Sequence, residues 1–299
     1  MLKGREIHGA IDAIASFIVE ALDGSPRTGI AVGLSGGLDS TVTTALCVRA
    51  VGGERVTAFL LPEREGPPKD EDDGLFVAER LGVESVTVNV TAALDGLGVY
   101  DFLLSKLPSP VSDAIVRVSY EARRLLGTRD PLIESLTGSA NPAVYKAAAH
   151  FKIRHRVRMV ALLFEAEKRN LLVAGAANRT EKLTGIYTRF GVDDSADIMP
   201  IANRYRTEVL EVGRALGVPE RILSKPPAPG IIPGVRNKYR YLLDLPAEDV
   251  DRALEALESG ETPEETARRL DLPEEPVRRI DRVREEALRL RELPLVPER

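Results

Sequence analysis

The chain has 299 residues, 43% of them apolar, with 41 Lys and Arg against 46 Asp and Glu and a net charge of −5. Its length and apolar content suffice for one or two packed cores and exclude wholesale disorder. The excess of acid excludes bulk electrostatic attraction to nucleic acid. The single Cys47 excludes an internal disulfide and a multi-cysteine metal cluster, and three histidines leave little for a histidine-based one. No apolar run is long enough to span a bilayer, and Lys3, Arg5, Glu6 and Asp12 interrupt any leader-like core. A cytoplasmic protein without nucleic-acid or membrane partners is expected.

In chain order, Ile7, Ile11, Ile14 and Ile18 predict an amphipathic helix over 5–22, suited to packing on a sheet or on another subunit. Residues 29–35 predict a buried strand, 39–50 a helix, 56–62 a second strand, 70–81 a helix and 85–90 a third strand. The helix at 70 opens with Asp70, Glu71, Asp72 and Asp73, a run that either complements the helix macrodipole or does chemistry. Residues 91–150, with Pro108, Pro110, Pro131 and Pro142, are expected to form an irregular, partly helical insertion. Its Arg117, Arg123, Arg124 and Arg129 suit either a substrate lid or a solvated surface. A helix follows over 152–168, on which Arg154 and Arg158 share a face while Arg156 points elsewhere. Strands are expected over 171–176 and 197–201, a helix over 207–216 and a loop over 225–234. Residues 246–291 predict helices broken at Gly260, Pro263 and Pro273. Over 248–275 there are 11 acids against 3 arginines, the wrong sign for a DNA-reading face. The whole reads as an α/β protein with a parallel, doubly wound sheet. The expected division is 1–234, including the insertion, followed by a helical C-terminal extension, 235–299.

The informative stretch is Gly33, Leu34, Ser35, Gly36, Gly37, Leu38, Asp39 and Ser40, at the end of the first strand. Ligands of open parallel sheets bind beyond the carboxyl ends of the strands. Adjacent glycines let backbone amides approach an anion, two hydroxyls add donors, and the helix start adds positive partial charge. Asp39 would repel a bare phosphate, so its presence implies a cation such as Mg²⁺ between them. The Gly-Lys-Ser/Thr ending of a Walker A loop is missing.

This octet resembles the PP-loop of the N-type ATP pyrophosphatases, whose fold is of the adenine-nucleotide α-hydrolase kind. Four further stretches make the chain similar to ammonia-dependent NAD synthetases: the acidic helix start at 70–73, KIRHRVRM at 152–159, NRTEKLTG with YTRFG over 178–191, and DIMPIANRYRTEV through LGVPERILSKPP over 197–227. The resemblance implies an ATP-dependent amide ligase that adenylates the nicotinate carboxylate of deamido-NAD and transfers ammonia to it. Gly33, Ser35, Gly36, Gly37, Leu38, Asp39, Ser40 and Arg206 would bind ATP and its departing pyrophosphate. Asp39 and Glu181 would bind Mg²⁺. Arg156, Arg189 and Asp197 would contact deamido-NAD, and Asp39, Glu181 and Arg189 would be catalytic. The resemblance also implies a homodimer. Cys47 and the histidines have no part in this chemistry.

The chain departs from the family pattern at Ala176 and Ala228, where hydroxyl residues are expected. It departs again at Val235, Arg236, Asn237, Lys238, Tyr239 and Arg240, which replace an acidic segment, and at its C-terminal end, which lacks a His-Lys pair. The same adenylation of another carboxylate, a tRNA thiolase and a non-catalytic nucleotide binder are the alternatives. The lone cysteine and net acidity argue against the thiolase.

Overall fold

The computed structural model describes residues 4–102, 106–107, 109–126, 130–192, 194–228 and 235–291. Its contacts divide the chain into two units: residues 1–106, 152–179 and 187–226, and residues 107–151, 180–186 and 227–299.

The first unit is built on four parallel strands: β1 (Gly29–Gly33), β2 (Val56–Leu60), β3 (Glu84–Thr87) and β4 (Leu171–Ala174), in the order β3-β2-β1-β4. Ile30 pairs with Val56 on one side and with Leu172 on the other. Alternate residues serve opposite faces, as the pleat requires. Ile30, Val32, Val56, Ala58, Leu172 and Ala174 pack under helices α1 (Arg5–Asp23), α2 (Leu38–Val51), α3 (Pro68–Leu81) and, further along the chain, α9 (Arg206–Ala215). Ala31, Phe59, Leu171 and Val173 pack on the other face against Met159, Leu162 and Ala166 of α7 (Pro142–Lys168). The short helix α4 (Thr91–Gly96) adds Leu94 to a satellite cluster with Val90, Val99 and Tyr100.

In α1 the buried residues are Ala10, Ile11, Ile14, Ile18 and Leu22, so the apolar stripe predicted from the sequence joins the core cluster, packed against α2 and α9. α2 is buried on nearly every side from Leu38 to Cys47, the condition of a core helix.

The second unit contains α5 (Ser109–Leu126), α6 (Pro131–Thr137), the first ten residues of α7, and, between β4 and α9, most of α8 (Arg179–Thr184). After α9 and the short α10 (Glu220–Leu223) of the first unit come α11 (Lys238–Leu243), α12 (Ala247–Glu258), α13 (Pro263–Leu270) and α14 (Glu274–Arg291). The breaks expected at Gly260, Pro263 and Pro273 fall at the ends of these helices, and Thr262 with Glu265 forms a reciprocal capping box on α13. Arg279 of α14 donates to Asp130 at the cap of α6, to Asp244 after α11 (2.9 Å) and to the Tyr120 hydroxyl on α5 (2.9 Å).

Two expectations need correction. The insertion is largely helical, because Pro131 stands at the first helical position of α6 and Pro142 and Pro110 in the first turns of α7 and α5, where proline starts a helix instead of breaking it. The fifth strand is reduced to one bridge, Ala174 to Ile198. There the Asp197 carboxylate accepts the Val173 N–H at 2.8 Å, in place of a ladder carbonyl, and Pro200 offers no N–H to extend the ladder. Arg117 is exposed on α5; the side chains of Arg123 and Arg124, all of Arg129, and residues 229–234 of the expected loop lie outside the described residues.

Candidate active site

The strand order places a switch of direction between β1 and β4, with one chain continuing into α2 and the other towards α8. A crevice at such a point is the ligand position of an open sheet. On the β1 side the octet forms a loop latched by its own serines. The Ser40 hydroxyl donates to the Gly37 carbonyl (3.2 Å) and accepts the Ser35 N–H (3.2 Å), with the Ser35 hydroxyl 3.0 Å away. The Gly37 N–H donates to Ser35 Oγ (3.3 Å). Gly37 is the cap residue of α2 and no side chain caps the helix. The first amides of a helix have no intrahelical acceptor, so this end is prepared for an anion.

Asp39 lies in the first turn of α2. Its Oδ1 accepts the Asn178 amide from beyond β4 at 3.1 Å and lies 4.0 Å from the buried Arg206 guanidinium at the start of α9. The structure therefore brings Asp39, Arg206 and the loop together. The motif at 178–185 alone does not single out Asn178; its position just past β4, where it reaches Asp39, does.

The residues expected to contact the acceptor occupy α7 and the segment after α8. Arg156 Nε donates to the Arg189 carbonyl at 3.2 Å, while Arg154 and Arg158 turn the other way, to Glu63. The helical-wheel reading of these three arginines is thus reproduced. The Arg189 guanidinium stacks on the exposed Phe190 ring, 4.4 Å from its centroid. Asp197 is occupied by the backbone of β4, as described above. Glu63 also accepts the Tyr100 hydroxyl at 2.7 Å; burial, reinforced by Glu63, pushes the Tyr100 phenol up to about 12.

In the second unit, Glu181 on α8 makes a buried ion pair with Lys238, the first residue of α11, whose cap residue Asn237 accepts the N–H groups of Tyr239 and Arg240. Lys238 belongs to the segment that replaces the family's acidic one, a departure visible in the sequence whose partner was not. Cys47 is fully buried and burial pushes its thiol up to about 12, which removes it from nucleophilic chemistry near neutral pH. Among the described residues no helix is long and apolar enough to cross a membrane.

A parallel sheet with a serine- and glycine-rich loop opening an uncapped helix beside an aspartate, an asparagine and an arginine defines a nucleotide-binding α/β protein of the PP-loop class. The chain belongs to the NAD synthase family, whose model matches residues 10–99 and 129–294. It is 39% identical to the NH(3)-dependent NAD(+) synthetase of Thermotoga maritima, over 84% of this chain and 87% of that protein. It is 30% identical to the protein of the same name from Methanocaldococcus jannaschii, over the whole of both chains. Among solved structures, NMN synthetase from Francisella tularensis (TM-score 0.70, 23% identity, 98% and 99% of the two chains) shares the fold. So does NH3-dependent NAD synthetase from Campylobacter jejuni (TM-score 0.68, 21% identity, 98% and 99%).

Proposed function

We infer that this protein is an ammonia-dependent NAD synthetase, a ligase that adenylates the nicotinate carboxylate of deamido-NAD with ATP, releases pyrophosphate, and lets ammonia expel AMP to give NAD. The observation that carries this reading is the 39% identity over 84% of the chain to a relative of that name, in a chain that keeps the latched phosphate loop. A carboxylate is a poor acyl donor because oxide would have to leave; adenylation supplies a good leaving group. The protein's task is then charge neutralisation and alignment.

The loop amides of Gly36 to Ser40 and the start of α2 bind the phosphates that become pyrophosphate, with Arg206 adding a cation; Gly33 acts at one remove, since a Cβ there would lie 2.9 Å from the Val192 side chain. Arg156, which fixes the Arg189 backbone, and Arg189 itself orient the anionic dinucleotide. Asp197 acts at one remove by fixing the end of β4. Ammonia arrives free or from a partner, since Cys47 supplies no thiolate.

Mg²⁺ bound with ATP supplies neutralisation of the triphosphate. Asp39 fits that ion: it stands in the first turn of α2, whose start no side chain caps, and Asn178 and Arg206 both engage its Oδ1. Glu181 does not fit in the same way, because Lys238 already neutralises it in a buried pair.

The homodimer belongs to the same proposal, but on a different face from the one the sequence points to. On α7, Val160, Leu163 and Phe164 are exposed together, with Phe164 61% exposed, at the spacing of one helix face. A cytoplasmic location agrees with the supply of ATP and the free thiol.

The test is AMP formation from ATP and ammonium with deamido-NAD, compared with the corresponding mononucleotide carboxylate and unrelated acids. Preference for deamido-NAD is expected. Preference for another acid would move the protein to the second reading, the same chemistry on a different acceptor, which Lys238 in place of an acid favours.

A further inference from the structure

The acidic start of α3 has a partner that neither macrodipole nor catalysis explains. Gly36 of the phosphate loop has φ +70°, and a Cβ there would lie 2.7 Å from the Asp70 carbonyl, 2.8 Å from Asp73 Cβ and 2.9 Å from Gly74 N. The loop is thus in backbone contact with the first turns of α3. That contact sets two carboxylates, Asp70 and the fully buried Asp73, directly behind a loop meant for a polyanion. Unopposed, they would repel the triphosphate.

Lys225, two residues past α10, meets them. Its ammonium donates to the Gly36 carbonyl at 2.9 Å, lies 3.4 Å from Asp70 Oδ1 and forms an ion pair with Asp73. Arg221 of α10 pairs with Asp73 as well and stacks on Phe76, 4.8 Å from the ring centroid. Two cations therefore balance two carboxylates. The carbonyl of a trans peptide points away from the following N–H. Anchoring the Gly36 oxygen to Lys225 turns the Gly37 N–H to the opposite side, where it meets Ser35 Oγ.

We propose that Lys225, with Arg221, is a positioning clamp that cancels the charge of Asp70 and Asp73 behind the phosphate loop and holds the Gly36 carbonyl away from the nucleotide. The proposal rests on the reading of the loop as the ATP site. It assigns Lys225 no contact with substrate; its effect reaches ATP through the loop.

The experiment measures ATP binding in the presence of Mg²⁺ by calorimetry, together with KM for both substrates, in the full chain. Lys225→Gln keeps a hydrogen-bond donor and removes the charge. It is expected to weaken ATP binding on the order of tenfold, the scale of one uncompensated charge at short range in partly screened surroundings, with KM for the acceptor within about twofold of wild type. Lys225→Gln combined with Asp73→Asn restores neutrality and should recover most of the lost affinity, which a merely structural lysine would not allow. Asp70→Asn, at a half-exposed residue that tolerates exchange, should tighten ATP binding two- to threefold and gives a result even if Lys225→Gln folds poorly. Wild-type ATP affinity in Lys225→Gln, no recovery in the double variant, or no tightening in Asp70→Asn each overturns the clamp. A wild-type protein that does not bind ATP overturns the ATP reading instead, and the clamp with it.

Discussion

Asp39 is the first residue to test, because its carboxylate lies in the first turn of α2, whose start no side chain caps. Asp39→Asn preserves shape and removes the charge that a cation would meet. Pyrophosphate release is expected to fall by about two orders of magnitude, the scale of losing a preorganised electrostatic group. Wild-type turnover in a coupled pyrophosphate assay would take Asp39 out of the site. Cys47→Ser tests the opposite expectation. The thiol is buried and protonated, so turnover should hold while thermal unfolding shows a loss of about 1–3 kcal/mol for a hydroxyl in an apolar place. Lys238 is a third case, since its removal strands a buried glutamate. Lys238→Met should destabilise the fold by about 3–5 kcal/mol, and Lys238→Met combined with Glu181→Gln should recover much of that, as measured by denaturant titration.

At the level of elements, α7 combines three tasks on one helix, with Arg156 one turn before Val160 and beside the face that covers the sheet. Met159, Leu162 and Ala166 cover the sheet, Arg156 fixes the Arg189 segment, and Val160, Leu163 and Phe164 face outward. The outward face is expected to join two copies. Phe164→Glu should convert a dimer seen by light scattering into a monomer at micromolar concentration, while α1, whose apolar stripe is already buried, should tolerate Phe17→Glu without that change. The helices of the second unit depend on Arg279 in a comparable way. It satisfies the cap of α6, the residue after α11 and a hydroxyl on α5 at once, so these helices are held by one buried guanidinium as well as by apolar packing.

For the whole molecule, the same ion pairs set the response to acid. Burial pushes the Asp73 and Asp130 carboxyls up, but their cations outweigh it. Lys225 and Arg221 hold Asp73, and Arg279 holds Asp130, below the usual aspartate value. A carboxyl with a depressed folded-state pKa adds stability that is complete above its unfolded pKa and is lost as pH falls through the folded one. Unfolding stability should therefore be flat on this account near neutrality and decline below about pH 4. Asp130→Asn should flatten part of that decline, and an equal slope in the variant would remove Asp130 from the explanation.

Much of the architecture was legible in the residues themselves. Strand and helix alternation is a local property of apolar spacing, so the four strands, α1, α2, α9 and the breaks near Gly260 and Pro273 could be placed within a few residues. The octet was recognisable because glycine, serine and aspartate together at a strand-to-helix turn suit an anion, although Gly36 is required as well by the close approach of α3. Proline misled in the insertion, since the same residue ends one helix and begins another, and only the neighbouring turns distinguish the two. The missing fifth strand was lost to a carboxylate that took the ladder's place, an exchange that strand propensity does not register. What the tertiary structure alone decided was pairing over distance. Lys225 meets Gly36 across 189 positions, Asn178 meets Asp39 across 139, and Lys238 meets Glu181 across 57. A charge in a sequence states that a partner is needed; which partner it gets is set by the order of the strands and the docking of the helices, and no local pattern contains that information.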